Sequence, residues 1–175
     1  QGLYYDKKKD YMIMTEHGPK GGDEININKN PLTTLKNYGW PISSYGIHNK
    51  CREVSDCNYI HLKDSPLHKS HNEYGFEEPL IHYSPGIGIS EIIKIPQEFN
   101  GNSKNNYFVS AMGNKVNKGT QSIHDIVFDD NYTAVIDEEI ISINERIRDI
   151  KYIKSINKVI LFLENSASIG VLEKI

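Results

Sequence analysis

Asp149-Ile-Lys-Tyr-Ile-Lys-Ser-Ile-Asn157-Lys-Val-Ile-Leu-Phe-Leu-Glu164, a loop of small residues, then Gly170-Val-Leu-Glu-Lys-Ile175 is the stretch that decides the fold. Two runs rich in Ile, Val and Tyr flank a polar turn, the second run closes on an acid, and a third follows, which reads as strand, turn, strand, loop, strand. The chain opens in the same order. Gly2-Leu-Tyr-Tyr5, the turn Asp6-Lys-Lys-Lys-Asp10, Tyr11-Met-Ile-Met-Thr-Glu16, a Gly-rich loop and Asp23-Glu-Ile-Asn-Ile27 play the same parts. A third copy runs from Ser90 through residues 92–95, a turn around Asn100-Gly101-Asn102, residues 106–110 and residues 123–128. No window of a dozen residues sustains helical spacing, so at most short helices are expected. Three copies of a β-meander predict an all-β chain built of propeller blades, each about 40 to 50 residues long. A β-sandwich, which also uses meanders, is the alternative left open by pattern alone.

Propellers close with typically four to eight blades, so the three or four expected here form an open ring with unpaired edges. Gln1 leads straight into a strand, and the reading is therefore a piece of a larger propeller. The 175 residues carry 20 Lys and Arg against 23 Asp and Glu, a net charge of -3, with 38% hydrophobic residues. That balance offers no basic surplus for a phosphate backbone, so nucleic acid is not an expected partner. No run of about 18 apolar residues exists to cross a membrane as a helix. Residues 29–79 are polar and turn-rich and hold Cys51, Cys57, His48, His61, His68 and His71. They read as blade strands plus a long loop-rich excursion around 42–78. The histidine spacings match no compact zinc pattern.

Two segments could carry chemistry. Thr15-Glu-His-Gly-Pro-Lys-Gly-Gly-Asp-Glu-Ile-Asn-Ile27 bends sharply at its glycines and can aim backbone carbonyls, with Asp23 nearby, at a hard cation such as calcium. A plain connecting turn is the alternative reading. In Asn144-Glu-Arg-Ile-Arg-Asp149, a strand would place Arg146 and Arg148 on one face as two forks suited to an anion with several carboxylates. A solvated strand face paired with Glu145 or Asp149 would look the same.

Gln1-Gly-Leu3, Glu16-His-Gly-Pro-Lys-Gly-Gly-Asp-Glu-Ile-Asn26, Asn37-Tyr-Gly-Trp-Pro41 and Arg146-Ile-Arg-Asp149 stand in the order found in the soluble glucose/sorbosone (aldose sugar) dehydrogenases. The chain resembles the C-terminal portion of that family over nearly all of residues 1–175, as part of one propeller domain. The resemblance implies a partial six-bladed β-propeller and a sugar dehydrogenase that uses pyrroloquinoline quinone and calcium, oxidising a sugar hydroxyl and passing electrons to an acceptor. It also implies a periplasmic or secreted setting, with a signal peptide in a preceding part of the chain, and leaves a homodimer open as an assembly. Carried over residue by residue, the Gly18 and Pro19 carbonyls bind calcium. His17 and Asp23 line the cofactor pocket, Arg146 and Arg148 hold the cofactor's anionic side, and the loop and the arginines meet at one end of the propeller.

The departures are as specific. The family's general-base His and an arginine beside the reactive carbonyl are expected upstream of this chain, so no catalytic residue is assigned here and the piece alone is expected to be inactive. A cofactor-contacting Lys falls near Met112, Gly113 and Asn114, with Lys115 one position out of register. The family's aromatic-Pro-Thr contact corresponds to Ser84-Pro85-Gly86, beside Tyr83, and the acid of a second calcium site aligns with His48. The oxidising setting implied by the resemblance favours a Cys51–Cys57 bridge. A propeller of the same ancestry that binds carbohydrate or docks a protein without redox chemistry is the second functional reading.

Overall fold

The computed structural model describes residues 1–51, 64–100, 104–113 and 120–173. Among these the chain is all-β, with one single-turn helix, α1 (Gln97–Asn100), and one 3-10 turn (Asn72–Tyr74). It forms two compact units, one of Tyr5–Gly86 and one of Gln1–Tyr4 with Ile87–Ile175.

The unit Tyr5–Gly86 is organised by a sheet in the order β1 (Leu3–Asp6), β2 (Tyr11–Glu16), β3 (Asp23–Lys29), β4 (Ile81–Tyr83). The β1–β2 turn follows from its residues. The Asp6 carboxylate accepts the Lys8 and Lys9 amides at 3.0 and 3.2 Å, and Asp10 closes the turn at φ 55°, a left-handed conformation that Asp tolerates better than most residues. In β2 the alternation turns Ile13 and Thr15 inward. Strand β3 is buried along Asp23–Asn26 on both faces, and β2 pairs with it antiparallel from Tyr11 opposite Lys29 to Glu16 opposite Glu24.

Between β3 and β4 the structure departs from the expected blade strands. The described residues of this stretch hold only two isolated bridges, Lys20 with Ile47 and Ser43 with His68, and the 3-10 turn. Side chains satisfy backbone that no ladder reaches. The Lys20 ammonium donates to the Cys51 carbonyl at 2.7 Å, and the Lys69 ammonium donates to the carbonyls of Ser44 and Gly46. Cys51 is buried; Cys57 and His61, and with them the proposed bridge, lie outside the described residues.

The unit containing Ile87–Ile175 has two antiparallel sheets. One runs β5 (Ile89–Lys94), β6 (Asn106–Ala111), β7 (Ser122–Phe128), β8 (Val135–Ser142); the other runs β11 (Ser168–Leu172), β10 (Lys158–Leu163), β9 (Ile147–Ile153). Strand β6 is central and buried throughout. Phe108 and Ile123 from the first sheet meet Ile147, Ile150, Val159 and Leu161 from the second, with Ile95 and Phe99 closing the core. Each such side chain contributes about 1.5–3 kcal/mol by leaving water. The Ser90 hydroxyl adds a polar tie, donating to the Ile147 carbonyl at 2.7 Å.

Strand β8 was not anticipated from the sequence, because the acidic run Asp137-Glu-Glu139 interrupts its Val and Ile residues and most of its side chains are exposed, which leaves no regular alternation. It is an edge strand paired with β7 over residues 135–142, which makes the third sequence copy a four-stranded meander. The turn at 100–102 is instead preceded by α1, and residues 101–103 lie outside the described residues. Consecutive up-and-down sheets are the units of a partial β-propeller, the architecture expected from the sequence.

Candidate functional site

The loop between β2 and β3 is shaped by close backbone approach. A Cβ on Gly18 would stand 2.0 Å from the Gly21 carbonyl oxygen and 2.4 Å from that of Gly22, so no other residue fits there. Gly21 and Gly22 take φ of 82° and 71°, and the Gly22 amide donates to the Tyr83 carbonyl at 2.7 Å and the Ser84 hydroxyl at 3.1 Å. Asp23 pins the loop from inside. Only 3% exposed, it accepts the Gly18 amide at 3.1 Å and faces His17 Nδ1 at 3.6 Å. A Cβ on Gly86 would come within 3.2 Å of the Asp23 carboxylate oxygens, and the glycine leaves that space free.

Tied in this way, the loop leaves the Gly18 and Pro19 carbonyls without a hydrogen bond among the described residues. Two bare carbonyl oxygens on a rigid bend are hard donors, the kind calcium takes. Glu16, His17, Gly18, Gly22, Glu24, Tyr38, Trp40, Ser43 and Ser44 line a small recess that is partly open to solvent. Of the residues assigned from the sequence, His17 and Gly18 line this recess, whereas Asp23 is not among its lining residues, holds the Gly18 amide and lies 3.6 Å from His17 Nδ1. No cluster of three His, Cys, Asp or Glu side chains able to hold a metal occurs among the described residues. Any cation here would rest on carbonyls.

Glu24 is a site residue to which the sequence reading gave no role. It is 5% exposed, and burial pushes its carboxyl up to about 7. Asn26 Nδ2 donates to Glu24 Oε2 at 3.3 Å and to Glu16 Oε2 at 3.2 Å. The alternation of β3 puts Glu24, Asn26 and Asn28 on one face, but the same pattern marks a strand with a solvated face, so the burial of this stripe could not be read from the sequence. Burial also raises Glu16, and pushes the Tyr38 hydroxyl, which has no hydrogen-bond partner among the described residues, up to about 12.

The arginines lie in the other unit. Arg146 immediately precedes β9, so it is not within the strand as expected, and Arg148 is its second residue. Both still reach one carboxylate: Glu164 Oε2 stands 2.6 Å from Arg148 Nη2 and 3.5 Å from Arg146 Nε. Arg146 Nη1 also donates to the Met112 carbonyl at 2.6 Å. The partner is therefore Glu164, at the end of β10, rather than Glu145, which instead accepts the Asn165 and Ser166 amides. One carboxylate shared by two guanidinium groups is the ion pair expected of a partly exposed strand end.

The remaining sequence candidates are engaged elsewhere. His48 Nε2 lies 2.9 Å from the Ser65 carbonyl, and His68 stacks on Tyr74 with ring centroids 3.7 Å apart. Met112 and Gly113 are described, while Asn114 and Lys115 are not.

Residues 1–170 match the family described as Glucose / Sorbosone dehydrogenase. Among curated proteins, the chain is 29% identical over 151 residues to an uncharacterized Synechocystis protein, slr1608, covering 86% of this chain and 31% of that protein. It is 33% identical over 90 residues to the aldose sugar dehydrogenase YliI of Escherichia coli, covering 51% of this chain and 20% of that one. Among solved structures it superposes on a glucose dehydrogenase with a TM-score of 0.71 at 22% identity, over 99% of this chain and 42% of that one. The soluble aldose sugar dehydrogenase of Escherichia coli in the apo-form gives 0.68 at 21% identity, over 99% and 44%. The chain thus spans a third or less of the curated relatives' lengths, and the structural likeness is one of fold. The match over residues 1–170 identifies the chain as a member of the glucose/sorbosone dehydrogenase family.

Proposed function

We propose that the chain is part of a sugar dehydrogenase that holds pyrroloquinoline quinone with the help of calcium. The observation that carries this reading is the pair of bare carbonyls at Gly18 and Pro19, held rigidly by Asp23 within a motif of the matched family. When bound, the quinone supplies the electron acceptance that no protein side chain offers. The chain's own contribution is orientation and charge. The Gly18 and Pro19 carbonyls hold the cation, and Asp23 fixes His17 through the 3.6 Å contact so that its ring faces the recess. Arg146 and Arg148 take the quinone's carboxylates in the manner in which they hold Glu164. The base that removes the sugar hydroxyl's proton belongs, in this reading, to an upstream segment.

A specific observation favours a second reading, a binding module without redox chemistry. The arginine pair already shares Glu164, which offsets one of its two charges, and a quinone must compete with that carboxylate. Reconstituting the full-length protein with quinone and calcium and assaying aldose oxidation with an artificial acceptor separates the two. Sugar-dependent reduction of the acceptor supports the dehydrogenase. Sugar binding without turnover in the quinone-loaded protein supports the module.

A further inference from the structure

His71 is 0% exposed, and among the described residues neither ring nitrogen has a hydrogen-bond partner of normal geometry. It is nevertheless flanked by acids. Nε2 lies 3.4 Å from Glu24 Oε1 and Nδ1 lies 3.8 Å from Glu78 Oε2. Glu78 is fixed on the other side, since its Oε1 accepts the His71 and Asn72 amides, each at 2.9 Å, and its Oε2 accepts the Tyr45 hydroxyl at 2.7 Å. Tyr45 stacks between His71 and His82 with centroid distances of 5.2 and 3.8 Å.

We propose that Glu24, His71 and Glu78 form a proton-dependent clasp in which Glu24, as the neutral acid, donates to His71 Nε2 while His71 Nδ1–H donates to Glu78. The clasp fastens residues 71–78 to β3, and so to the wall of the recess. The charges around it require a proton. Glu24 faces Glu16 across β2 and His82 across β4 in the register, with Asp23 beside it and Glu78 beyond the imidazole. Two ionised carboxylates against a neutral buried ring would leave the buried Glu24 charge with only the Asn26 amide at 3.3 Å to offset it. Burial favours the neutral form of both Glu24 and His71, whereas the Asn72 amide and the Tyr45 hydroxyl hold Glu78 ionised. Burial likewise lowers His82 from its ordinary value, with Glu78 acting against it. One acid, one imidazole and one carboxylate in that order give each proton an acceptor to face, at 3.4 and 3.8 Å before the contacts tighten.

Glu24 has its carboxyl raised in the folded protein, so its contribution is fully present below the unfolded value of 4.5 and is lost as pH rises to about 7. His71, lowered from 6.5, acts in the opposite sense, and normalising to Glu24→Gln cancels it, because the amide can donate to Nε2 at any pH. Amide hydrogen exchange of the full-length protein, corrected for intrinsic rates, reads the clasp at His71 and Asn72. Their wild-type protection relative to Glu24→Gln is expected to fall about tenfold or more between about pH 5 and about pH 7.5. A ratio that does not change with pH overturns the proposal. Should Glu24→Gln fail to fold, infrared spectroscopy of the wild type decides. The proposal requires a buried carboxylic-acid carbonyl band at about pH 6 that disappears by about pH 8, with ring nitrogen shifts showing a single proton on Nδ1. No such band, or a doubly protonated ring at the lower pH, overturns it.

Discussion

Gly18 and Arg148 mark two ways in which a single residue serves the proposed site. Gly18 acts by absence, since a methyl group 2.0 Å from the Gly21 carbonyl oxygen would force the loop apart and carry the two bare carbonyls with it. Arg148 acts by charge and is free to do so, because its side chain is 47% exposed and bears little of the core. Arg148→Ala is therefore expected to change unfolding free energy by no more than about 0.5 kcal/mol. In the full-length protein it should weaken quinone binding by about 1.5–3 kcal/mol, the value of a charge-assisted contact. Denaturation and cofactor titration on the same variant check both halves, and unchanged quinone affinity would reduce the arginine to a surface ion pair. At this scale the sequence showed the loop through its glycines and its Asp, and the arginine pair through its spacing. It could not show Glu164 as the shared partner, because cross-strand register brings β10 back beside β9 and no local pattern encodes that meeting. His71 was hidden for a related reason, as a buried histidine in a polar, aperiodic stretch carries no periodic signal.

The turn between β7 and β8 shows how an element is held when its strand has little core to bury. Asp129 accepts the Thr133 amide at 2.6 Å, the Ala134 amide at 2.9 Å and the Thr133 hydroxyl at 2.8 Å. The Ala134 and Thr133 amides pull its carboxyl down to about 2 from 3.8. A carboxyl lowered on folding contributes stability that is present above the unfolded value and lost as pH falls through the folded one. The β7–β8 hairpin should accordingly loosen between about pH 4 and pH 2, and Asp129→Asn should flatten that dependence. Amide exchange of Thr133 and Ala134 measures it, and equal acid sensitivity in the two proteins would count against the turn. The strands with alternating or wholly apolar runs, β2, β6, β7, β9 and β10, were legible because burial of at least one face dictates their composition. Strand β8 was not, because pairing with β7 stabilises it while its side chains stay in water. The expected strands in residues 29–79 reflected turn signals alone, and there lysine ammoniums and isolated bridges do what a ladder does elsewhere.

Across the whole molecule, the open sheet edges set the behaviour of the chain on its own. Strands β8 and β11 are sheet edges with exposed apolar side chains, Ile136 and Ile140 on one and Ile169 and Val171 on the other, with Phe162 beside them on β10. Open edges with apolar side chains pair with other chains. The 175-residue piece expressed alone should self-associate more than the full-length protein, and Val171→Lys should reduce that association in sedimentation velocity; a monodisperse wild-type piece would refute this. The family match and the meanders agree with what the repeats of the sequence foretold, since each blade repeats one local pattern and local patterns are what a sequence displays. The central claim is that this chain helps hold a quinone through calcium-bound carbonyls and an arginine pair. Titrating the full-length protein with pyrroloquinoline quinone, once in calcium and once with a chelator, tests it most directly. The account predicts saturation at one quinone per chain in calcium and markedly weaker binding in chelator; no saturable binding, or the same affinity in both, would contradict it.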